Sequence, residues 1–236
     1  MKTVYHPAES RGFADHDWLK SHHTFSFANY HESERMHFGV LRVLNDDAVA
    51  PGRGFGRHPH SNMEIISIPL EGELVHQDSM GNKSVIRHGD IQVMSAGTGV
   101  EHSEFNNSAS DQVRFLQIWI IPRAEGVSPR YDQQQISEAP NTLVQVLSPS
   151  PDDQGVWIHQ NAWFSIGTFD RDTALAYTLH DGGNGLYAFV LQGHVQLGGQ
   201  ALKKRDGLGI WETESVNLEA KAGTRILLME VPMQLA

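Results

Sequence analysis

A chain of 236 residues with 39% apolar and 19% charged residues can bury a real core, either as one large all-β domain or as two domains of about a hundred residues each. Its formal net charge of −10 excludes a sequence-independent grip on nucleic acid, which needs clustered Lys and Arg, and the absence of cysteine excludes disulfides and thiolate metal sites. No window approaches the roughly 18 apolar residues of a membrane span, and the opening MKTVYHPAESRGFADHDWL carries no apolar leader core, so a cytoplasmic protein with no membrane partner is expected.

From Phe38 onward, short apolar or alternating runs predict strands over 40–45, 64–70, 73–77, 84–87, 91–94, 102–105 and 113–121. Turn signals separate them: Glu71-Gly72, Ser79-Met80-Gly81-Asn82, His88-Gly89-Asp90 and Ala96-Gly97-Thr98-Gly99. After Pro122 the pattern loosens through RAEGVSPRYDQQQISEAPN, which predicts a linker over 126–141. A second series follows over 142–147, 156–159, 163–168, 174–179, 186–191, 194–197, 207–211, 216–220 and 225–231. Its basic run Lys203-Lys204-Arg205, followed by Asp206 and Gly207, is expected to be a solvated hairpin. The series resemble each other: IISIPLEGELVHQD matches LYAFVLQGHVQLGG in pattern, and HGDIQVMSA matches RDGLGIWET. Two copies of one β unit are therefore expected, a first domain over 1–125 and a second over 142–236.

Residues two apart on a strand share a face, so His58 and His60 point together, as do His102 and Glu104 beyond the glycine-rich turn. On neighbouring strands these pairs would bring three imidazoles and a carboxylate to one wall, a ligand set for a divalent first-row metal that leaves coordination positions open. Pro59 between the two histidines predicts a strand start or bulge. Glu64, four residues beyond His60, falls on the same face by strict alternation and rivals Glu104. The second half shows no such pairing: His159, His180 and His194 are scattered, and the region expected to match the first ligand strand, 183–187, has no histidine. That half is expected to cover or support the first.

HTFSFANY at 23–30, RVLNDD at 42–47, GFGRHPHSNMEIISIPLEG at 54–72, HQDSMGN at 76–82 and MSAGTGVEHSE at 94–104 resemble the pirin family, most closely its bacterial quercetinases. The resemblance implies an all-β bicupin fold, two tandem antiparallel β-barrels facing each other, with one divalent metal in the N-terminal barrel. That ion is usually Fe(II), while nickel, copper, zinc, manganese and cobalt suit the same donors. The implied ligands are His58, His60, His102 and Glu104, which leaves Glu64 as a pocket group beside the metal. Ser95 departs from the proline of many cupins. The implied activity is a metal-dependent dioxygenase that opens the heterocyclic ring of a flavonol with O2, with Glu104 or Glu64 taking the substrate proton and Phe25, Phe27 and Phe55 as candidate pocket walls. The same resemblance allows a redox-sensing regulator that binds a protein partner, and cupins at large allow other metal-dependent reactions.

Overall fold

The alternating runs resolve into strands, and the Gly-bearing turns into hairpins. The computed structural model describes residues 1–235, among which there is no α-helix, and so no helix long and apolar enough to cross a membrane. The first strands are Lys2–His6 (β1), Gly12–Asp15 (β2), Leu19–His23 (β3), Leu41–Val49 (β4), Gly54–His60 (β5), Glu64–Glu71 (β6), Glu73–Asp78 (β7), Lys83–Arg87 (β8), Asp90–Ser95 (β9), Val100–Asn106 (β10) and Val113–Ile120 (β11). There follow Arg130–Gln135 (β12), Thr142–Ser148 (β13), Val156–Trp157 (β14), Trp163–Phe169 (β15), Thr173–Thr178 (β16), Asn184–Gln192 (β17), His194–Leu197 (β18), Gln200–Lys203 (β19), Gly207–Trp211 (β20), Ser215–Ala220 (β21) and Thr224–Pro232 (β22).

They form two tandem units, each with a seven-stranded and a four-stranded sheet. In the first unit the orders are β12-β9-β6-β11-β4-β3-β2 and β5-β10-β7-β8; in the second they are β1-β20-β17-β22-β15-β13-β14 and β16-β21-β18-β19. The order repeats strand for strand, which the matching segments of sequence anticipate. Gly72 and Gly193, the glycines of those segments, turn the chain at φ 75° and 80°, a conformation that disfavours any side chain.

Two expectations need correction. The segment 126–141 is no free linker, because β12 within it pairs with β9 and ends the first large sheet. The N-terminal strand in turn leaves the first unit, since β1 pairs with β20 of the second. Each large sheet thus ends on a strand from outside its unit, which pairs the backbone of β9 in the first and of β20 in the second.

The large sheets share one core: Leu44, Ile66 and Ile118 of the first lie in the same buried cluster as Phe164, Tyr187 and Met229 of the second. Phe25 and Phe38 join it, and the Phe25 ring packs 5.5 Å from Tyr187. Arg205 departs from the solvated hairpin expected of the basic run. It is held at φ 70°, its side chain is only 12% exposed, and its Nε donates to Asp46 Oδ2 of the first unit at 2.8 Å.

Phe38 fits the second unit because two strands there carry glycine. A Cβ on Gly185 would stand 2.7 Å from the Phe38 ring, and one on Gly209 would stand 2.5 Å from it. Gly209→Ala should therefore destabilise the protein by about 1–3 kcal/mol, the usual cost of overpacking. An unchanged urea midpoint would show that the ring moves aside freely.

Candidate metal centre

The small sheet of the first unit builds the site. Strand β5 lies at its edge, the place in a sheet where a proline such as Pro59 is tolerated, and β10 pairs with β5 on one side and β7 on the other. His58 stands opposite His102 and His60 opposite Val100, and the register shifts between His102 and Glu104. The rings of His58, His60 and His102 lie 4.5–4.9 Å apart, and their ligand atoms fall within 4.8 Å of one another. Glu104 falls in a second group, with His102 and His76.

The donors fit a metal. His102 is 1% exposed, yet neither of its ring nitrogens has a hydrogen-bond partner, a costly arrangement without a ligand. His58 Nδ1 lies 2.7 Å from Gly56 O, which can only accept, so the proton sits on Nδ1 and leaves Nε2 its lone pair. Burial, reinforced by the neighbouring imidazoles, lowers His60 to about 4 and His102 to about 3, which keeps both rings neutral as ligation requires.

Glu104 is held from the large sheet. Ser67 Oγ lies 2.9 Å from its Oε1, and Gln117 Nε2 donates to its Oε2 at 2.6 Å. Behind His102, the His76 ring packs 5.3 Å away and points Nε2 at Asp78 Oδ2, 3.2 Å distant. Burial alone would raise Asp78, but hydrogen bonds from Asn82 and His76 outweigh it and hold the carboxyl low. Tyr131 of β12 stacks on His76 at 4.7 Å, so the supposed linker closes the back of the site. His76, Ser67 and Gln117 escape the sequence reading, although His76 and Asp78 repeat the two-residue spacing of the other pairs.

A cavity of about 710 Å³ opens beside the donors, with His58, His60 and Glu104 in its wall. Phe27, Phe55 and Trp119 give it aromatic surface, and Trp119 packs edge-on against both Phe27 and His60. Phe25 takes no part, since it belongs to the core between the units.

Glu64 is also displaced from its expected place. Strands β5 and β6 belong to different sheets, and Asn62 between them has φ 48°, so counting by two from His60 fails. Glu64 shares a face with Ile66 and Ile68 of the common core, opposite to Ser67. Its Oε2 accepts a hydrogen bond from Ser95 at 2.6 Å, and burial pushes its carboxyl up to about 7. It lies outside the cavity and cannot serve as the base there.

The counterpart of the first ligand strand is β16, not the region around 183–187. There and on β21, Leu175, Tyr177, Val216, Leu218 and Ala220 form part of a packed apolar core where the first unit gathers its donors.

The chain is similar to known proteins over nearly its whole length. A family model described as Pirin matches residues 5–120, and one described as Quercetinase C-terminal cupin domain matches residues 145–231. The chain is 40% identical over 225 residues to a protein of Escherichia coli strain K12 named quercetin 2,3-dioxygenase, covering 95% of this chain and 96% of that protein. The crystal structure of YhhW from Escherichia coli superposes with a TM-score of 0.94 at 38% identity, covering all of both chains. A second, described as bacterial pirin YhhW in complex with nickel(II), gives 0.93 at 38% identity, over 98% of this chain and 99% of that one.

The raised Glu64 carboxyl has a consequence for stability. Between its ordinary value of 4.5 and about 7 the folded protein holds a proton that the unfolded chain has released, so stability falls as pH rises through that window. The cost is complete above about pH 7. Glu64→Gln should remove it, stabilising the protein at pH 8 by on the order of 2–3 kcal/mol and much less at pH 5. Urea unfolding at the two pH values measures the difference, and an equal effect at both would show that the ionised carboxylate is tolerated.

Proposed function

The chain belongs to the pirin family, and from that premise we propose that it is a metal-dependent dioxygenase that opens the heterocyclic ring of flavonols such as quercetin, consuming O2 and releasing carbon monoxide. The observation that carries the reading is the pair of unpartnered nitrogens on buried His102, set among further donors at the edge of a substrate-sized cavity. In this reading His58, His60, His102 and Glu104 hold the ion, which is Fe(II), with nickel and the other first-row divalent ions accepted by the same donors. The two units are cupin barrels set against each other through their large sheets, a reading that the shared core supports.

When bound, the ion supplies Lewis-acid polarisation of the flavonol 3-hydroxyl. Glu104 receives the proton. Ser67 Oγ lies 2.9 Å from Glu104 Oε1 and 3.0 Å from Gln117 Oε1, and it has one proton to give. Turned towards Glu104, it steadies the carboxylate. Turned towards Gln117, it frees Oε1 to take the hydroxyl proton and can accept the hydrogen bond that the protonated carboxyl then donates. Gln117 Nε2 holds Oε2 in both states, so the carboxyl keeps its orientation. Phe27, Phe55 and Trp119 keep water from the electron-rich flavonolate while it meets dioxygen.

Metal analysis paired with an aerobic quercetin assay tests the proposal. His58→Ala and His102→Ala should lose metal and flavonol consumption together, and Glu104→Gln should lower turnover by about 100-fold or more. Undiminished turnover by metal-free protein would sink the mechanism. Bound metal with no consumption of any flavonol would favour a regulator whose metal state sets its affinity for a protein partner.

A further inference from the structure

The cavity has a second polar region that the metal chemistry does not use. On β4, Asn45 and Asp47 point to the same face, and their cross-strand neighbours on β3 are His23 and Ser21. All four line the cavity, and none is more than 5% exposed. Asp47 Oδ1, Asn45 Oδ1 and His23 Nδ1 have no hydrogen-bond partner within the fold. Asp47 is the extreme case. Burial pushes its carboxyl up to about 7, against the pull of the Ser21 hydroxyl. Asp46, next along the strand, is by contrast held low, because Arg205 and Arg11 outweigh its burial. A buried carboxyl left without a cation at the wall of a cavity is expensive, so a role in accepting donors from an occupant accounts for its presence.

The acceptors are also spaced from the metal donors. Asn45 pairs across strands with Gln117, which holds Glu104, and Asp47 stands one pleat repeat, about 7 Å, further along β4. A flat substrate whose reacting hydroxyl lies at Glu104 would bring its far ring towards Asp47. The two oxygens of one carboxylate match two hydroxyls on adjacent ring carbons, while Asn45 adds a third acceptor. Apolar wall from Phe55 and Leu19 completes that end of the cavity.

We propose that Asp47, assisted by Asn45, is the specificity-determining residue that selects substrates with vicinal hydroxyls on the ring remote from the metal. The inference rests on the dioxygenase reading for the reacting end of the substrate, and the test separates the two. Quercetin, whose pendant ring carries vicinal hydroxyls, is compared with galangin, whose pendant ring carries none. Anaerobic calorimetry measures binding of each to the metal-loaded protein, and aerobic assays measure turnover, in wild type, Asp47→Ala and the near-isosteric Asp47→Asn. Thermal unfolding and metal content show that the variants are folded and loaded.

Wild type should prefer quercetin, and Asp47→Ala should cut the quercetin-to-galangin ratio by about ten-fold or more, the scale of a hydrogen bond to a charged group. Asp47→Asn should fall between, because its amide keeps one acceptor. A ratio unchanged in both variants would overturn the role of Asp47 while leaving ring opening intact. Quercetin bound in an Asp47-dependent manner but never consumed would keep that role and remove the dioxygenase. Failure of the wild type to bind or consume either flavonol would overturn both.

Discussion

The first unit depends on one constraint: a row of polar side chains has to be buried across the middle of an otherwise apolar sheet. Gln92, Ser67, Gln117, Asn45 and His23 are cross-strand neighbours on β9, β6, β11, β4 and β3, and none is more than 9% exposed. Each such group left unanswered costs about 1–3 kcal/mol. Ser67 and Gln117 are answered by Glu104, which fixes that carboxylate and ties β10 of the small sheet to the large one. Asn45 Oδ1 and His23 Nδ1 have no partner within the fold and lie in the wall of the cavity, while Gln92, outside the cavity, also leaves its amide atoms unpaired. The row thereby fixes the position of Glu104 in the wall of the cavity.

The second unit shows what the same frame does without that constraint. Its sheets repeat the strand order of the first, but the side chains between them are leucine, valine, tyrosine and alanine, close-packed as in any protein interior. The first unit has orphaned nitrogens and a cavity at the equivalent place, where fewer apolar contacts can form. The core shared by the two large sheets offsets this, since Ile66, Ile118 and Leu44, on the face of the sheet opposite to the polar row, pack against the second unit. This assigns the C-terminal half a physical part in supporting a site it does not touch.

The legible part of the site was what alternation alone decides. His58 with His60, and His102 with Glu104, share faces because they are two apart on continuous strands, and the repeated Leu-x-Gly turns mark the duplication. Glu64 was misplaced because the count crosses Asn62, where the chain leaves one sheet for another. Strands β1, β2, β3, β12 and β19 escaped because short strands at or next to a sheet edge, such as LKSHH and RYDQQQ, mix polar and apolar residues without a clean period. The polar row left a trace, one polar residue inside each apolar run, as Ser67 in EIISIPLE and Gln117 in VRFLQIWI. Recognising that those residues meet requires the pairing register, which arises from non-local contacts and is not written in any one segment.

The edge strands also change what counts as the site. Strand β12 belongs in sequence to the connection between the units, yet it completes the first large sheet and sets Tyr131 against His76, directly behind His102. One residue earlier, Arg130 lies 4.0 Å over the ring of Trp157 in the second unit and pairs with Asp132 on its own strand. The contacts from the second unit run through Arg130 and β12 to Tyr131, and from there to the His76 and Asp78 pair behind His102. His102 is thus backed by His76, and His76 by a strand whose Arg130 reaches the second unit.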